Sequence, residues 1–263
     1  MKAGDKSGGA LRRVRGDRTL AHLAPLAVFM VAGAGLSLVT DLTPGFFRDH
    51  EYLPWWRRHP EHWIYPLQTV LGGFCLVFWW RRYELRWSTG KVLFGAAMGV
   101  VGISIWLLPT QLHDWLEVSG APEGWQRWLG VLPRRDGFDP FVFEDPAARW
   151  AAVVLRFLRA VVVAALAEEL VWRAFLMRFV LKPDGDFWAV PFGTPSWKSY
   201  LIVTGLVVLA HSAPDRPAAF VWGSLVYLVA VWTRSLLACV AMHGVANLLM
   251  GWYALAFGKY GLW

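Results

Sequence analysis

The sequence lacks several motifs that mark common enzyme sites. It contains neither a His-Glu-x-x-His zinc helix nor a serine or cysteine nucleophile motif, and Gly33-Ala-Gly35 follows no strand, which excludes a dinucleotide loop. Cysteine is nearly absent. Cys75 and Cys239 both lie in apolar runs, so each is better explained as a small core residue than as half of a disulfide or a metal ligand.

Charged residues are also few, at 17% of the chain against 56% hydrophobic residues. The mean hydropathy of +0.39 is too high for an ordinary soluble domain, and eighteen tryptophans fit the aromatic belts of a membrane interface. The net charge is +7, but the basic residues cluster at the N-terminus and in short loops, which indicates membrane orientation. We therefore expect a protein embedded in a lipid bilayer with no nucleic-acid partner.

The apolar segments predict an all-α, polytopic helical bundle with about seven transmembrane helices and no soluble domain or repeat. The expected spans are 19–40, 62–80, 92–109, 160–181, 197–211, 217–233 and 235–257. Gly95 and Gly99 form a small-xxx-small pattern in the third of these spans, which lets another helix approach closely.

The fourth span belongs to a longer segment, 146–181, which has no glycine or proline after Pro146 and is predicted to be one helix. Its 34 residues or so would measure roughly 50 Å, which is more than one span needs. Three arginines, Arg149, Arg156 and Arg159, are expected to hold its first turns at the outer interface. Glu168 would then lie within the bilayer.

The distribution of basic residues predicts the orientation of the bundle. Lysine and arginine are concentrated in residues 1–18, expected to be a disordered arm, and in the loop 81–91. Both segments are therefore expected on the cytoplasmic side. The loops 41–61 and 110–146 would lie outside.

Two adjacent carboxylates in the fourth span are the first candidates for chemistry, because an ionisable residue inside a membrane segment is costly and functional by default. Glu169 and Arg173 are four residues apart on one helical face and are predicted to pair as a supporting structural element. Glu168 has no cation at that spacing, which leaves it for chemistry. A structural ion-pair network is the alternative explanation.

Three further polar residues lie in the later spans. Asn247 is the only asparagine in the chain, and it follows His243 by four residues on the same face of the seventh span. His211 closes the fifth span. Hydrogen bonding between helices would also explain His243 and Asn247, and an interfacial histidine would explain His211.

Glu168, His211, His243 and Asn247 come from three apolar helices that can converge. A carboxylate and a histidine can activate a water molecule, and a histidine and an asparagine can donate to an oxyanion. This set is sufficient for amide hydrolysis without a covalent nucleophile.

The motifs Glu-Glu-x-x-x-Arg at 168–173, a mid-span histidine at 211 and His-x-x-x-Asn at 243–247 resemble those of the CPBP (Abi) family. This family comprises the Rce-type CAAX prenyl endopeptidases and bacterial relatives, including bacteriocin-immunity proteins. More weakly, Tyr65-Pro-Leu-Gln and Gly137-Phe-Asp-Pro-Phe resemble the exosortase-associated branch. One departure is Val207, where the second motif usually has phenylalanine.

The resemblance implies an all-helical intramembrane endopeptidase that cleaves a membrane-associated protein or peptide. Glu168 and His211 would activate the water, and His243 and Asn247 would bind the oxyanion. The protease core would cover 146–258, preceded by transmembrane helices and an interfacial loop over 19–145. We expect a bacterial inner (plasma) membrane, with an exosortase sorting system as a candidate partner.

No cofactor is expected to be required. Zinc is the alternative, with Glu168, His211 and His243 as its ligands. The rival functions are a non-catalytic immunity or accessory protein with the same fold and a transporter with a buried polar site. The complete set of four polar residues argues against a pure scaffold.

Overall fold

The computed structural model describes residues 12–42, 54–116 and 123–263, and within these ranges it is helical without any strand. The all-α class is therefore confirmed for the described chain. Its long helices are α1 (Arg18–Leu42), α2 (Glu61–Phe78), α3 (Thr89–Trp115), α4 (Pro146–Phe179), α5 (Trp197–Ala210), α6 (Arg216–Thr233) and α7 (Leu236–Phe257).

Four of these helices are long and apolar enough to cross a membrane: α1, α3, α4 and α7. The other three are shorter or less apolar, and α5 has only 14 residues. An integral membrane protein is supported, whereas the count of seven spans stays a prediction. Cys75 and Cys239 are both free, as expected.

The helix ends follow local sequence signals. Asp145 accepts a hydrogen bond from the amide of Ala148 at 2.8 Å and precedes Pro146, so α4 begins with a capping side chain and a proline in its first turn. The prediction that residues 146–181 form one helix is confirmed from Pro146 to Phe179. In α3 the helix continues past Pro109 to Trp115, since proline is tolerated inside the helices of membrane bundles.

Helix α7 packs along α3 at very short range. A Cβ atom added at Gly95 would lie 2.1 Å from the carbonyl oxygen of Ala238, and one at Gly99 would lie 2.4 Å from that of Met242. Only glycine fits at either position, which confirms the small-xxx-small interpretation. This contact determines where α7 presents the side chain of His243.

One end of the bundle is joined by ionic contacts around Glu84 in the loop 81–91. Its carboxylate accepts from Arg178 at 2.7 Å, near the end of α4, and also pairs with Arg18 at the start of α1. Burial raises the pKa of Glu84, but the two guanidinium groups outweigh it and hold this pKa below its usual range. The start of α1 and the 81–91 loop therefore share one end, as the predicted topology requires.

The opposite end is joined by two other ion pairs. Lys259, just after α7, donates to Asp114 at 2.5 Å, and Arg134 donates to Asp215 at 2.6 Å. These contacts connect the loop 110–146 with the segments after α5 and α7. The described residues of that loop thus lie at the end away from Glu84.

The sequence predicts a disordered arm over 1–18, and this expectation fails for its last third. Residues 12–16 are helical, and the carbonyls of Val14 and Arg15 accept from the side chains of Trp79 at 3.1 Å and Arg82 at 3.0 Å. Composition alone did not reveal these contacts because they depend on distant residues. Residues 1–11, and most of the loop 41–61, lie outside the described ranges.

Gly99→Ala is expected to destabilise the protein, because its methyl group would press on the α7 backbone, and overpacking typically costs ~1–3 kcal/mol. Gly90→Ala in the same helix is the matched control, since nothing lies within 4 Å of its added Cβ. It should be neutral or slightly stabilising. The two variants are compared by their melting temperature and by their yield of monodisperse protein in detergent. Equal behaviour of the two variants would contradict the close contact.

Candidate active site

Helix α4 is interrupted by two π-helical segments, Leu158–Ala164 and Leu170–Leu176, on either side of the α-helical turn Ala165–Glu169. A π segment widens the helix locally and is frequent at functional sites. The two carboxylates stand at the end of the intervening turn, and they differ in exposure. Both line one cavity, but Glu169 is fully buried, whereas Glu168 is half-buried.

Glu169 joins α4 to α7. Its Oε1 atom lies 2.9 Å from Nδ1 of His243, and its Oε2 atom lies 3.5 Å from Nε of Arg173. Glu169 and Arg173 are each 1% exposed, so the ion pair predicted from their spacing is confirmed and lies in the core. The bond to His243 was not predicted, because no sequence pattern links residues 74 positions apart.

The tautomer of His243 follows from this contact. An ionised carboxylate only accepts hydrogen bonds, so Nδ1 of His243 carries the hydrogen when Glu169 is charged. Neutral His243 then has an unprotonated Nε2, which is a base. It donates at both nitrogens only when the ring is an imidazolium.

His211 caps the end of α5 and is held by the carbonyl of Val207. Its Nδ1 lies 2.7 Å from that oxygen, and because a carbonyl only accepts, Nδ1–H is the donor. The neutral ring therefore has a free lone pair at Nε2. The ring of Trp106 contacts it at 5.4 Å and 60°, so an aromatic wall comes from α3 although position 207 is valine.

Asn247 contacts the first π segment. Its Nδ2 donates to the carbonyl oxygen of Ala160 at 2.8 Å, which fixes the amide orientation. An amide nitrogen has two hydrogens, so one donor remains for another partner. The ring of Trp222 contacts His243 at 5.4 Å.

A cavity of about 220 Å³ brings the four candidates together: its lining includes Glu168, His211, His243 and Asn247. A neighbouring cavity of about 210 Å³ shares the last three of them. Larger apolar grooves lie elsewhere on the described surface, and none of their three linings contains a carboxylate or a histidine. The chemistry, rather than the size, identifies the candidate site.

Two arginines of α4 also line this cavity, and sequence reasoning misplaced them. Arg156 and Arg159 were expected at the outer interface, but Arg156 is only 6% exposed and lies under aromatic rings. Their spacing of three residues puts the two arginines near each other, but Glu168 lies nine residues beyond Arg159, which is about half a turn away on a regular α-helix. Residue spacing therefore did not indicate that they share a cavity with Glu168.

Zinc is the alternative to a site without a metal. Within the described ranges, no group of three or more His, Cys, Asp or Glu side chains is arranged to hold a metal ion. Nδ1 of His243 and Nδ1 of His211 are each engaged by an acceptor of the protein, and each ring keeps a free Nε2, which is also the usual arrangement of a metal-ligating histidine. Zinc therefore stays the alternative, and the mechanism proposed below relies on the side chains of the protein alone.

Comparison with known proteins addresses the same region. Residues 150–249 match the family model Type II CAAX prenyl endopeptidase Rce1-like. This Rce1-like region runs from α4 into α7 and contains all four candidates together with Glu169 and Arg173. The match supports the CPBP family, and the exosortase-associated branch stays a prediction. Neither the curated proteins nor the solved structures gave a match.

Arg173→Ala is expected to lower stability markedly, because it leaves the buried Glu169 charge without its cation, and breaking a buried pair costs ~3–5 kcal/mol. The measurements are melting temperature and folded yield in detergent. Adding Glu169→Gln removes the uncompensated charge, so the double variant should be more stable than Arg173→Ala alone. Arg149→Ala, at the start of the same helix, is the control. A wild-type melting temperature for Arg173→Ala would refute the pairing.

Proposed function

We propose that this protein is an intramembrane endopeptidase of the CAAX type, which hydrolyses a peptide bond of a membrane-associated protein with an activated water molecule. The observation that carries the proposal is the single cavity lined by Glu168, His211, His243 and Asn247 within the Rce1-like region. No protein nucleophile is needed, because a base and oxyanion donors are available together.

Glu168 acts as the general base in this proposal. Its carboxylate is half-buried at the cavity wall, where limited access of bulk water strengthens its electrostatic interactions. His211 orients the same water by accepting one of its hydrogens at Nε2, since Nδ1–H is engaged by Val207. The water oxygen attacks the substrate carbonyl carbon as Glu168 takes a proton.

The negative charge that develops on the carbonyl oxygen requires donors. Asn247 supplies its second N–H, and its amide is already oriented by the bond to Ala160. His243 donates from Nε2 if its ring is an imidazolium, which the Glu169 carboxylate at 2.9 Å stabilises. Glu169 is therefore a positioning residue in this mechanism as well as a structural one.

Collapse of the tetrahedral intermediate breaks the carbon–nitrogen bond. Glu168 returns its proton to the leaving amine, so the carboxylate is regenerated and the reaction balances as addition of one water. Part of the cavity wall is apolar, and this part includes Trp172, Trp222, Met250 and Leu262. Such walls limit bulk water at the reacting groups.

The cavity lies toward the end of the bundle that carries the loop 110–146. Arg134, from that loop, and Asp215, from the segment after α5, line the neighbouring cavity. With the N-terminus in the cytoplasm, this end faces outward, and we propose an extracytoplasmic substrate in a bacterial inner membrane. An exosortase sorting system is the proposed context.

Glu168→Gln is expected to abolish cleavage, because glutamine keeps the shape of the side chain but cannot accept the proton. Asn247→Ala should lower turnover by ~10²–10³, the typical effect of losing an oxyanion donor. Cells producing wild type or Glu168→Gln are compared by mass spectrometry of membrane-protein termini. New C-termini should appear only with wild type, and purified variants are then assayed on the substrate found.

The exposed Glu144→Gln is the matched control and should cleave normally, while all variants should accumulate in the membrane. Full cleavage by Glu168→Gln would end the peptidase proposal and favour the accessory-protein alternative. Transport without any cleaved product would favour the transporter. Activity that a chelator removes and zinc restores would assign Glu168, His211 and His243 as ligands.

The orientation is tested with single cysteines in a background in which Cys75 and Cys239 are replaced by alanine. Arg86→Cys, at an exposed position of the 81–91 loop, should resist a membrane-impermeant maleimide added to intact cells. Glu144→Cys, at an exposed position of the opposite end, should react. The reverse pattern would place the cavity on the cytoplasmic side.

A further inference from the structure

A groove on the outside of the bundle, at the end away from Glu84, plays no part in the proposed hydrolysis. Its volume is about 950 Å³, and its walls come from the short helix Gly124–Leu129, the segment after α5 and the first turns of α6. Apolar side chains form most of these walls: Trp128, Leu132, Ala213, Pro214, Pro217 and Phe220. The other two lining residues are Arg127 and Arg216, so an apolar surface carries two cations.

The protein itself does not neutralise these two arginines. Both are exposed, and within the described chain neither forms an ion pair or a side-chain hydrogen bond. The carboxylate next to Arg216 in the sequence, Asp215, is engaged by Arg134 at 2.6 Å. No carboxylate is among the described residues that line the groove, so its charge complements an anion.

A second apolar groove, of about 570 Å³, begins at the same turn of α6. Pro217 lines both grooves, and the second one continues between α3 and α6, where its walls include Leu108, Leu112 and Val221. None of the described residues that line it is charged. Two apolar grooves that meet beside a pair of cations match an amphiphile with two hydrocarbon chains and one anionic head.

Exposed tryptophans place both grooves at the level of membrane headgroups. Trp128 in the first groove is 69% exposed and Trp115 in the second is 78% exposed, and tryptophan is enriched where headgroups meet hydrocarbon. Phe220 follows Arg216 by four residues on the same face of α6 and is also exposed. A cation followed by an aromatic ring along the helix corresponds to a headgroup followed by its acyl chains.

We propose that the two grooves bind one anionic phospholipid, with its phosphate at Arg127 and Arg216 and one acyl chain in each groove. This inference goes beyond the proposed peptidase function and does not depend on it. Arginine suits a phosphate because its planar fork donates two parallel hydrogen bonds, and basic pockets between membrane helices bind lipid headgroups. An acidic peptide fits less well, because the apolar walls would leave its backbone polar groups without partners.

The first groove is connected to the candidate active site through its own walls. Gly130 ends the short helix with φ +74°, and a Cβ added there would lie 2.4 Å from the carbonyl oxygen of Pro214. Further along the same two segments, Arg134 pairs with Asp215, and both residues line the cavity next to the candidate site. A lipid held by both arginines would therefore hold together two segments that form a wall of that cavity.

The test measures lipid preference by native mass spectrometry. Purified protein in a neutral detergent is mixed with equal amounts of phosphatidylglycerol and phosphatidylcholine that carry the same acyl chains. An arginine near a headgroup contributes ~1 kcal/mol, or about fivefold in affinity, so wild type should prefer phosphatidylglycerol roughly 25-fold. Arg127→Gln and Arg216→Gln should each lower this preference about fivefold, and the double variant should bind both lipids almost equally.

Arg135→Gln is the matched control. It removes the same charge from an exposed position near the short helix, but Arg135 lines neither groove, so the preference should stay that of wild type. An equal loss of preference in this variant would show that overall charge is responsible and would overturn the inference. A wild type without any preference would overturn it as well. The three arginines are exposed, so all variants should keep the wild-type melting temperature in the absence of lipid.

Lipids with fewer chains test the two grooves. Lysophosphatidylglycerol, with one chain, should bind more weakly than phosphatidylglycerol, and glycerol 3-phosphate, with none, should not raise the melting temperature at the same concentration. An equal rise with glycerol 3-phosphate would assign the arginines to a soluble phosphate and overturn the inference. Lipid-free dimers that dissociate in the double variant would assign the grooves to a second copy of the chain and would also overturn it.

Hydrogen exchange tests the connection to the candidate site and needs no substrate. Amides of residues 124–134 should exchange more slowly with phosphatidylglycerol than with phosphatidylcholine, because a bound lipid suppresses local opening of this segment. The double variant should lose this protection, and Arg135→Gln should keep it. Unchanged exchange of the segment in wild type with bound phosphatidylglycerol would place the lipid elsewhere and overturn the inference.

Discussion

The buried contact of Glu169 with His243 and Arg173 is the interaction on which the site depends. It joins α4 to α7 in surroundings where an unpaired charge is strongly destabilising, and each of the three side chains offsets the cost of burying the others. The same contact determines which nitrogen of His243 carries a hydrogen. One carboxylate therefore affects both the stability of the fold and the chemistry of the site, so a substitution of Glu169 is expected to change both.

The contact between Glu169 and His243 requires α4 and α7 to be held at fixed positions along the bundle axis. Gly95 and Gly99 let the backbone of α7 lie directly against α3, and the amide of Asn247 reaches the carbonyl of Ala160 in α4. The π segments of α4 have more residues per turn than an α-helix, so each residue turns through a smaller angle and the faces of the residues beyond them shift. Glu168 is half-buried, whereas Glu169 is 1% exposed and is engaged by His243 and Arg173. Adjacent carboxylates thereby acquire different surroundings and different proposed roles.

The sequence predicted most of the helices and one ion pair because these depend on local spacing. The ends of α4, α6 and α7 lie within about two residues of expectation, and the Glu169–Arg173 pair follows from a four-residue step. Long-range contacts could not be predicted, because no local pattern links Glu169 to His243, 74 residues further along the chain. Arg156 was misplaced for a related reason, since charge near a helix start resembles an interface until the covering aromatic rings are known.

The charged side chains that line the cavity all belong to α4: Arg156, Arg159, Glu168, Glu169 and Arg173. Arg173 offsets Glu169, which leaves two guanidinium groups beside the single carboxylate of Glu168. Arg159 and Glu168 attract each other, and opposite charges interact strongly where bulk water is limited. The proposed base therefore works in the field of a cation on its own helix, which local sequence spacing did not indicate.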